Sequence, residues 1–263
     1  MSKKPIGVIT RGTTAPNRLR RIDRWLIHSE CSRLRREESP VVVDLGYGAL
    51  PVTTRELRDR LAQHVRADIR VIGIEIDPER VAQAQYLSDD SLQFIKGGFE
   101  VPIGGQASVI RALNVLRQYD ESEVIPSWNE MGQHIADGGL LIDGTCDEIG
   151  RRAVWVALRK NDQQFNPVSL SISVHLASLE KPSDIAARLP KILIHHNVPG
   201  EKIHHVLDQL DDAWNRTASA STFGARQHWI ATLEYATTHG LETLDSVSRW
   251  RLGEVTLPWA AVS

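Results

Sequence analysis

Short apolar runs and helix-period segments alternate along the first 160 residues of this chain. Asn17 to Arg36 reads as a helix, with Leu19, Ile22, Trp25 and Leu26 on or near one face. Val41 to Leu45 is an apolar run that ends in an acid and meets a glycine, the pattern of a buried parallel strand. Thr53 with Glu56 three residues on gives a capping-box signature, and Leu57, Leu61 and Val65 supply the apolar face of the helix that follows. A second strand is expected at Val71–Ile74. Asp77-Pro78 then opens a helix, with the acid as N-cap and the proline at the first helical position. Further strands are expected at Leu92–Ile95 and Ser108–Leu113. Ser122 is expected to cap a helix carrying Val124, Trp128, Met131 and Ile135, which stops at Gly138-Gly139. Leu140–Ile142 reads as a fifth strand and Asp147 to Lys160 as another helix. This alternation predicts a parallel sheet with helices on both faces.

From Val168 the period changes. Val168, Leu170, Ile172, Val174 and Leu176 alternate with Ser169, Ser171, Ser173 and His175, as in an antiparallel strand with one polar face near a sheet edge. A helical stretch over about 183–240 follows, and Trp250 to Trp259 reads as a last, irregular strand.

Composition narrows the class. With 263 residues, 41% hydrophobic and 24% charged, the chain suits one large soluble α/β domain, alone or carrying an insertion. No apolar run reaches the roughly 20 residues that span a bilayer, so no membrane partner is expected. Met1 to Thr10 lacks a signal-peptide core, and a cytoplasmic location is expected. Cys31 and Cys146 lie far apart and form neither a disulfide framework nor a zinc knuckle. Residues 1–36 hold ten Lys/Arg against two Asp/Glu, while the remainder holds 21 basic against 31 acidic residues. A basic arm on an acidic body either faces a phosphate-bearing substrate or is a helix that pairs with that body.

The chemistry concentrates on two loops. Asp44-Leu45-Gly46-Tyr47-Gly48 places glycines at alternate positions after the first strand, where backbone approaches a ligand closely and a helix N-terminus presents free N–H groups. Gly73-Ile74-Glu75-Ile76-Asp77 ends the second strand in an acid, about 30 residues on, the length of one β-α-β unit. A nicotinamide fingerprint would need glycine where Pro51 stands. In these two segments the chain resembles the class I S-adenosylmethionine-dependent methyltransferases. That family's third glycine is replaced here by Leu50. The resemblance covers roughly residues 40–145. It implies S-adenosyl-L-methionine as cofactor and a Rossmann-like α/β fold: a seven-stranded, mostly parallel sheet, helices on both faces and a helical insertion near the C-terminus. It also implies that Glu75 accepts from the ribose hydroxyls, with Asp77 beside it, and that Asp44 orders the loop or accepts from the cofactor's amino group, with Gly46, Tyr47 and Gly48 forming the loop itself. Gly98 stands where the family carries an acid for the adenine, so backbone amides and Phe99 are expected to serve there.

Two local resemblances are looser. Ala112–Tyr119 is similar to the segment after strand four in chemotaxis receptor methyltransferases, which puts Asn114 toward the cofactor. Gly144-Thr145-Cys146 looks like the nucleophile site of RNA cytosine-5 methyltransferases, but their Asp-x-Pro-Cys is missing, and Asp147 and Glu148 oppose a thiolate. Cys146 is therefore expected to line a pocket. His195-His196 and His204-His205 are not spaced as zinc ligands, and no metal is expected. Asp120, Glu121 and these histidines are the candidates if a base is needed. The expected organisation is a basic helical arm over 1–36 and a methyltransferase domain over 37–263. The methyl acceptor is unidentified, with RNA, another phosphate-bearing molecule or a small molecule all open, as is a homodimer. The competing readings are a non-catalytic nucleic-acid-binding protein on a relic methyltransferase fold and an aminopropyl-transferring relative.

Overall fold

The computed structural model describes residues 5–162 and 164–263. The first half alternates as the sequence suggests: α1 (Arg20–Arg36), β1 (Val41–Leu45), α2 (Val52–His64), β2 (Arg70–Glu75), α3 (Pro78–Ala84), β3 (Leu92–Lys96), β4 (Ala107–Leu113), α4 (Val124–Gln133) and β5 (Ile135–Cys146). The second half differs: β6 (Arg152–Asn161), β7 (Gln164–Val174), α5 (Lys191–Ile194), α6 (Lys202–Arg216), α7 (Ala225–Thr238), α8 (Val247–Trp250) and β8 (Glu254–Pro258).

These strands form one sheet in the order β3-β2-β1-β4-β5-β6-β7-β8. The first five are parallel, and β6, β7 and β8 are added antiparallel. The fold is α/β and Rossmann-like, with eight strands where seven were expected. The extra strand comes from Arg152–Asn161, within the stretch read as a helix. Ala153 to Leu158 is buried at every position, so it carries no period of two, and a continuous apolar run does not distinguish a doubly covered strand from a buried helix. Asp147 closes the β5–β6 hairpin, accepting from the backbone N–H of Arg151 at 2.8 Å and of Arg152 at 3.1 Å.

Alternate residues feed two cores. Val42, Val71, Val109, Ile142 and Trp155 pack with Ile22, Leu26 and Leu34 of α1 and Leu57 and Leu61 of α2. Val43, Ile72, Ile110, Leu141 and Val156 pack with Trp128 of α4, Leu207 of α6 and Trp229 of α7. The serines of β7 do not face water. Ser171 hydrogen-bonds Thr256 at 2.9 Å, and Ser173 accepts from Arg21 of α1 at 3.1 Å.

Several boundaries move for local reasons. Asn17 adopts a positive φ of 61°, so α1 begins at Arg20. The Thr53–Glu56 capping box does not form: the Thr53 and Thr54 hydroxyls turn to Asp44, and Glu56 accepts from the Asn17 N–H at 2.9 Å. Asp120 with Glu123, not Ser122, makes the capping box before α4. That helix ends at Gln133, and Gly138-Gly139 lies within β5. The Asp77 cap of α3 forms as expected, accepting from the Glu79 N–H at 2.9 Å. No helix among the described residues is long and apolar enough to cross a membrane.

Candidate functional site

The carboxyl ends of β1, β2, β4 and β5 converge on one edge of the sheet, and the predicted loops lie there. After β1 the chain turns at Gly46 (φ +71°) and Gly48 (φ +88°), the left-handed region that favours glycine. What the two glycines clear differs from the expectation. A Cβ on Gly46 would lie 2.6 Å from Val115 Cγ2, and one on Gly48 would lie 2.9 Å from the carbonyl oxygen of Gly12. Both make room for neighbouring protein. The Gly46 N–H donates to Ile74 O at 2.7 Å, tying the loop to β2.

Asp44 is committed to the loop's foundation. Its carboxylate accepts from the fully buried Arg111 guanidinium at 2.9 and 2.7 Å and from the Thr54 hydroxyl at 2.8 Å. Arg111 also pairs with Asp23 of α1, which Arg60 of α2 reaches from the other side at 2.5 Å. Burial alone would lower the Arg111 pKa, but Asp44 and Asp23 more than offset it, and the guanidinium stays charged. Burial pushes the Asp23 carboxyl up against the opposing pull of Arg111 and Arg60. One ionic cluster thus fixes α1, α2, β1 and β4 beneath the loop.

Glu75 ends β2 with its side chain only 1% exposed. It accepts from the Gly48 N–H at 3.0 Å and from the N–H groups of Ile76 and Asp77 at 3.0 and 3.3 Å, and Arg80 lies 3.6 Å away. The structure therefore brings the two predicted motifs into direct contact. Tyr47 is buried edge-on against Phe94 and donates to Arg80 O at 3.3 Å. Asn114, with φ +63°, accepts from the Cys146 N–H at 2.9 Å and donates to Cys146 Sγ at 3.2 Å, locking β4 to β5. Cys146 is buried, and burial pushes its thiol up, which opposes a nucleophilic thiolate.

A segment with neither helical nor strand periodicity covers this edge. The segment from Ile6 to Gly12 lies across the ends of β1, β2 and β4. Ile6 N–H donates to Glu100 Oε2 at 2.7 Å, and Ile6 O accepts from the Phe99 N–H at 2.9 Å. Val8 N–H donates to the Tyr119 hydroxyl at 2.7 Å. Arg80 donates to Thr10 O at 3.0 Å, and Ala49 N–H donates to Gly12 O at 2.9 Å. Gly98 is where this strap passes closest: a Cβ there would lie 2.0 Å from Ile6 O. The strap is held by polar contacts at its backbone, while the side chains of Ile6, Val8 and Ile9 are exposed.

Two cavities result. Glu75, Gly98, Phe99, Val115 and Tyr119 line one of about 20 Å³, with Ile6, Gly7 and Val8 of the strap also on its wall. The other, of about 390 Å³, lies beside the glycine turn, with Asp44, Gly46, Tyr47, Gly48, Asn114 and Cys146 on its wall. Its remaining lining was not foreseen: Thr10 to Thr14 and Arg18 from the N-terminal segment, Arg117 and Gln118 after β4, Glu148, and Arg188 from the insertion. The readable signals were Arg11-Gly12-Thr13-Thr14, a turn-forming polar run, and the lone Arg117 after the Asn-Val-Leu segment. The candidate bases lie elsewhere: His196 hydrogen-bonds Glu121 at 2.8 Å, which raises its pKa, and neither lines either cavity.

No protein-family model matches the chain, and neither does any curated protein. Among solved structures it is similar over 48% of its length to magnesium protoporphyrin IX methyltransferase from Synechocystis PCC 6803 with bound SAH, at 21% identity and a TM-score of 0.36. It is similar over 50% of its length to the plantazolicin methyltransferase BamL in complex with a triazolic desmethylPZN analog and SAH, at 16% identity and a TM-score of 0.38. The matches span 53% and 46% of those two chains, about half of each. A putative protein-L-isoaspartate O-methyltransferase from Plasmodium falciparum in complex with S-adenosyl-L-homocysteine matches over 62% of this chain and 75% of its own, at 16% identity and a TM-score of 0.39. At these identities and scores the likeness carries no activity over to this chain.

Proposed function

We propose that this chain is an S-adenosyl-L-methionine-dependent methyltransferase. The observation that carries the reading is the contact between the two loops: the Gly48 N–H donates to Glu75 Oε2 at 3.0 Å, at the carboxyl ends of adjacent parallel strands, beside a cavity of about 390 Å³. In this reading Gly46, Tyr47 and Gly48 hold the methionine end of the cofactor, with Asp44 keeping the turn in place. Glu75 and Asp77 face the ribose, Gly98 and Phe99 the adenine, and Asn114 the methyl-bearing end.

The residues fit the two halves of that cofactor unequally. The larger cavity accommodates a methionine end as it stands. The adenosine end falls where the strap lies, so Ile6 to Thr10 must lift for it to enter. The strap's few polar contacts, each worth about 1 kcal/mol net, are within reach of a ligand's binding energy. When bound, the cofactor supplies an activated methyl group. The protein's work is then to align the acceptor and exclude water, and no dedicated base is required where the acceptor is already nucleophilic.

The N-terminal segment and part of the insertion face the acceptor side in this reading, through Thr10 to Thr14 and Arg188. The bulk of the insertion, α6 and α7, instead covers the antiparallel half of the sheet. The relic nucleic-acid-binding reading has less behind it, since Arg21, Arg33 and Arg35 of α1 are spent on protein carbonyls, hydroxyls and carboxylates. Hydrogen exchange with S-adenosylhomocysteine tests the reading. Protection is expected at 44–48 and 75, with faster exchange at Ile6 and Val8 as the strap lifts. Protection at neither loop would sink it.

A further inference from the structure

Arg117 follows β4, and Arg188 comes from the insertion some 70 residues later, yet both line the larger cavity. Among the described residues neither makes an ion pair or a hydrogen bond, although nearly every other arginine near this edge does. Arg18 donates to Asp147 O and Thr13 O, Arg80 is held by Thr10 O and the two acids beside it, and Arg111 lies between Asp44 and Asp23. Both guanidiniums belong to residues that line this one cavity. The Arg117 pKa is lowered, first by burial and then by the charge of Arg188. Like charges on one cavity lining, with Arg117 exposed and Arg188 half-buried, cost free energy that an anion bound between them would recover. Arg11 and Arg18 bring the arginines of the lining to four. Of the two acids there, Asp44 is already neutralised by Arg111, leaving Glu148. Thr14 belongs to the same lining, and its buried hydroxyl has no hydrogen-bond partner among the described residues.

We infer that this cavity is an oxyanion site, in which Arg117 and Arg188 grip a phosphate or carboxylate group of the methyl acceptor. Planar guanidiniums suit either group, since each presents paired donors to two oxygens. That the anion belongs to the acceptor rests on the methyltransferase reading; the anion site itself does not. The alternative within the same cavity is that these arginines read the carboxylate of the cofactor's methionine, and competition separates the two.

The experiment is calorimetric titration of the full chain with inorganic phosphate and, separately, acetate, each with and without saturating S-adenosylhomocysteine. Saturable binding of one anion, undiminished by S-adenosylhomocysteine, is expected, and the tighter of the two names the source. Arg117→Ala and Arg188→Ala should each weaken it about tenfold or more, while Arg36→Ala on the far end of α1 leaves it unchanged. Because neither side chain makes an ion pair or hydrogen bond among the described residues, both variants should melt close to the parent, so loss of binding is not loss of fold. No saturable binding of either anion, or binding that S-adenosylhomocysteine abolishes, overturns the inference. Phosphate binding in a protein that ignores S-adenosylhomocysteine would leave the anion site standing and remove the methyltransferase reading instead.

Discussion

Single residues here are asked to do structural work before any chemistry. Asp143 of β5 is fully buried and accepts from Trp128 Nε1 at 3.0 Å. Burial pushes its pKa up to about 7, against the pull of the Trp128 and Gly144 hydrogen bonds. Its unfolded value is near 3.9. From about pH 4 to 7 the folded chain therefore holds a proton that the unfolded chain releases, and stability falls as pH rises through that window. Asp143→Asn keeps an acceptor for Trp128 and removes the ionisation. It should exceed the parent in stability at pH 8 by up to about 4 kcal/mol, with the gap closing toward pH 4. Denaturant melts at the two pH values check this, and a gap independent of pH would contradict it. Arg111→Leu should do the opposite. It leaves the buried Asp44 without a cation and Asp23 with Arg60 alone, at a cost of roughly 3–5 kcal/mol, and a melting point near the parent's would mean that the cluster is dispensable. Gly46→Val is predicted to lower stability as well as binding, because its side chain meets Val115 and its φ is positive.

At the scale of elements, the strap is the feature with the clearest consequence. Tyr119→Phe removes only the hydroxyl that accepts from the Val8 N–H. One hydrogen bond contributes about 1 kcal/mol, so association of S-adenosylhomocysteine should quicken by roughly fivefold. Stopped-flow fluorescence reads this, and an unchanged rate would mean that the strap does not gate entry. Elements also mark how far the sequence was legible. Strands β1 to β5 and the two loops were readable because each apolar run ends in a turn signal and, in the two motifs, an acid. Arg152–Asn161 was not, because it is apolar on both faces and its pairing partners β5 and β7 are what make it a strand. The serines of β7 promised a wet face, and tertiary cover from α1 and β8 dried it. The strap was invisible for another reason: residues 5–14 have no regular structure, and the partners of the Ile6, Val8, Thr10 and Gly12 backbone groups lie some 40 to 110 positions away in sequence.

At the scale of the molecule, a doubly covered sheet places the glycine turn, the acid of β2 and two unpaired arginines around one edge, and the chain's own N-terminal segment lies over half of it. That edge is the proposed cofactor site. Calorimetric titration of the intact chain with S-adenosylhomocysteine tests it most directly. One saturable site per chain is expected, weakened about 10²-fold in Glu75→Ala, with a stabilisation of about 2.7 kcal/mol at 100 times the dissociation constant. A flat titration with an unmoved melting point would contradict it.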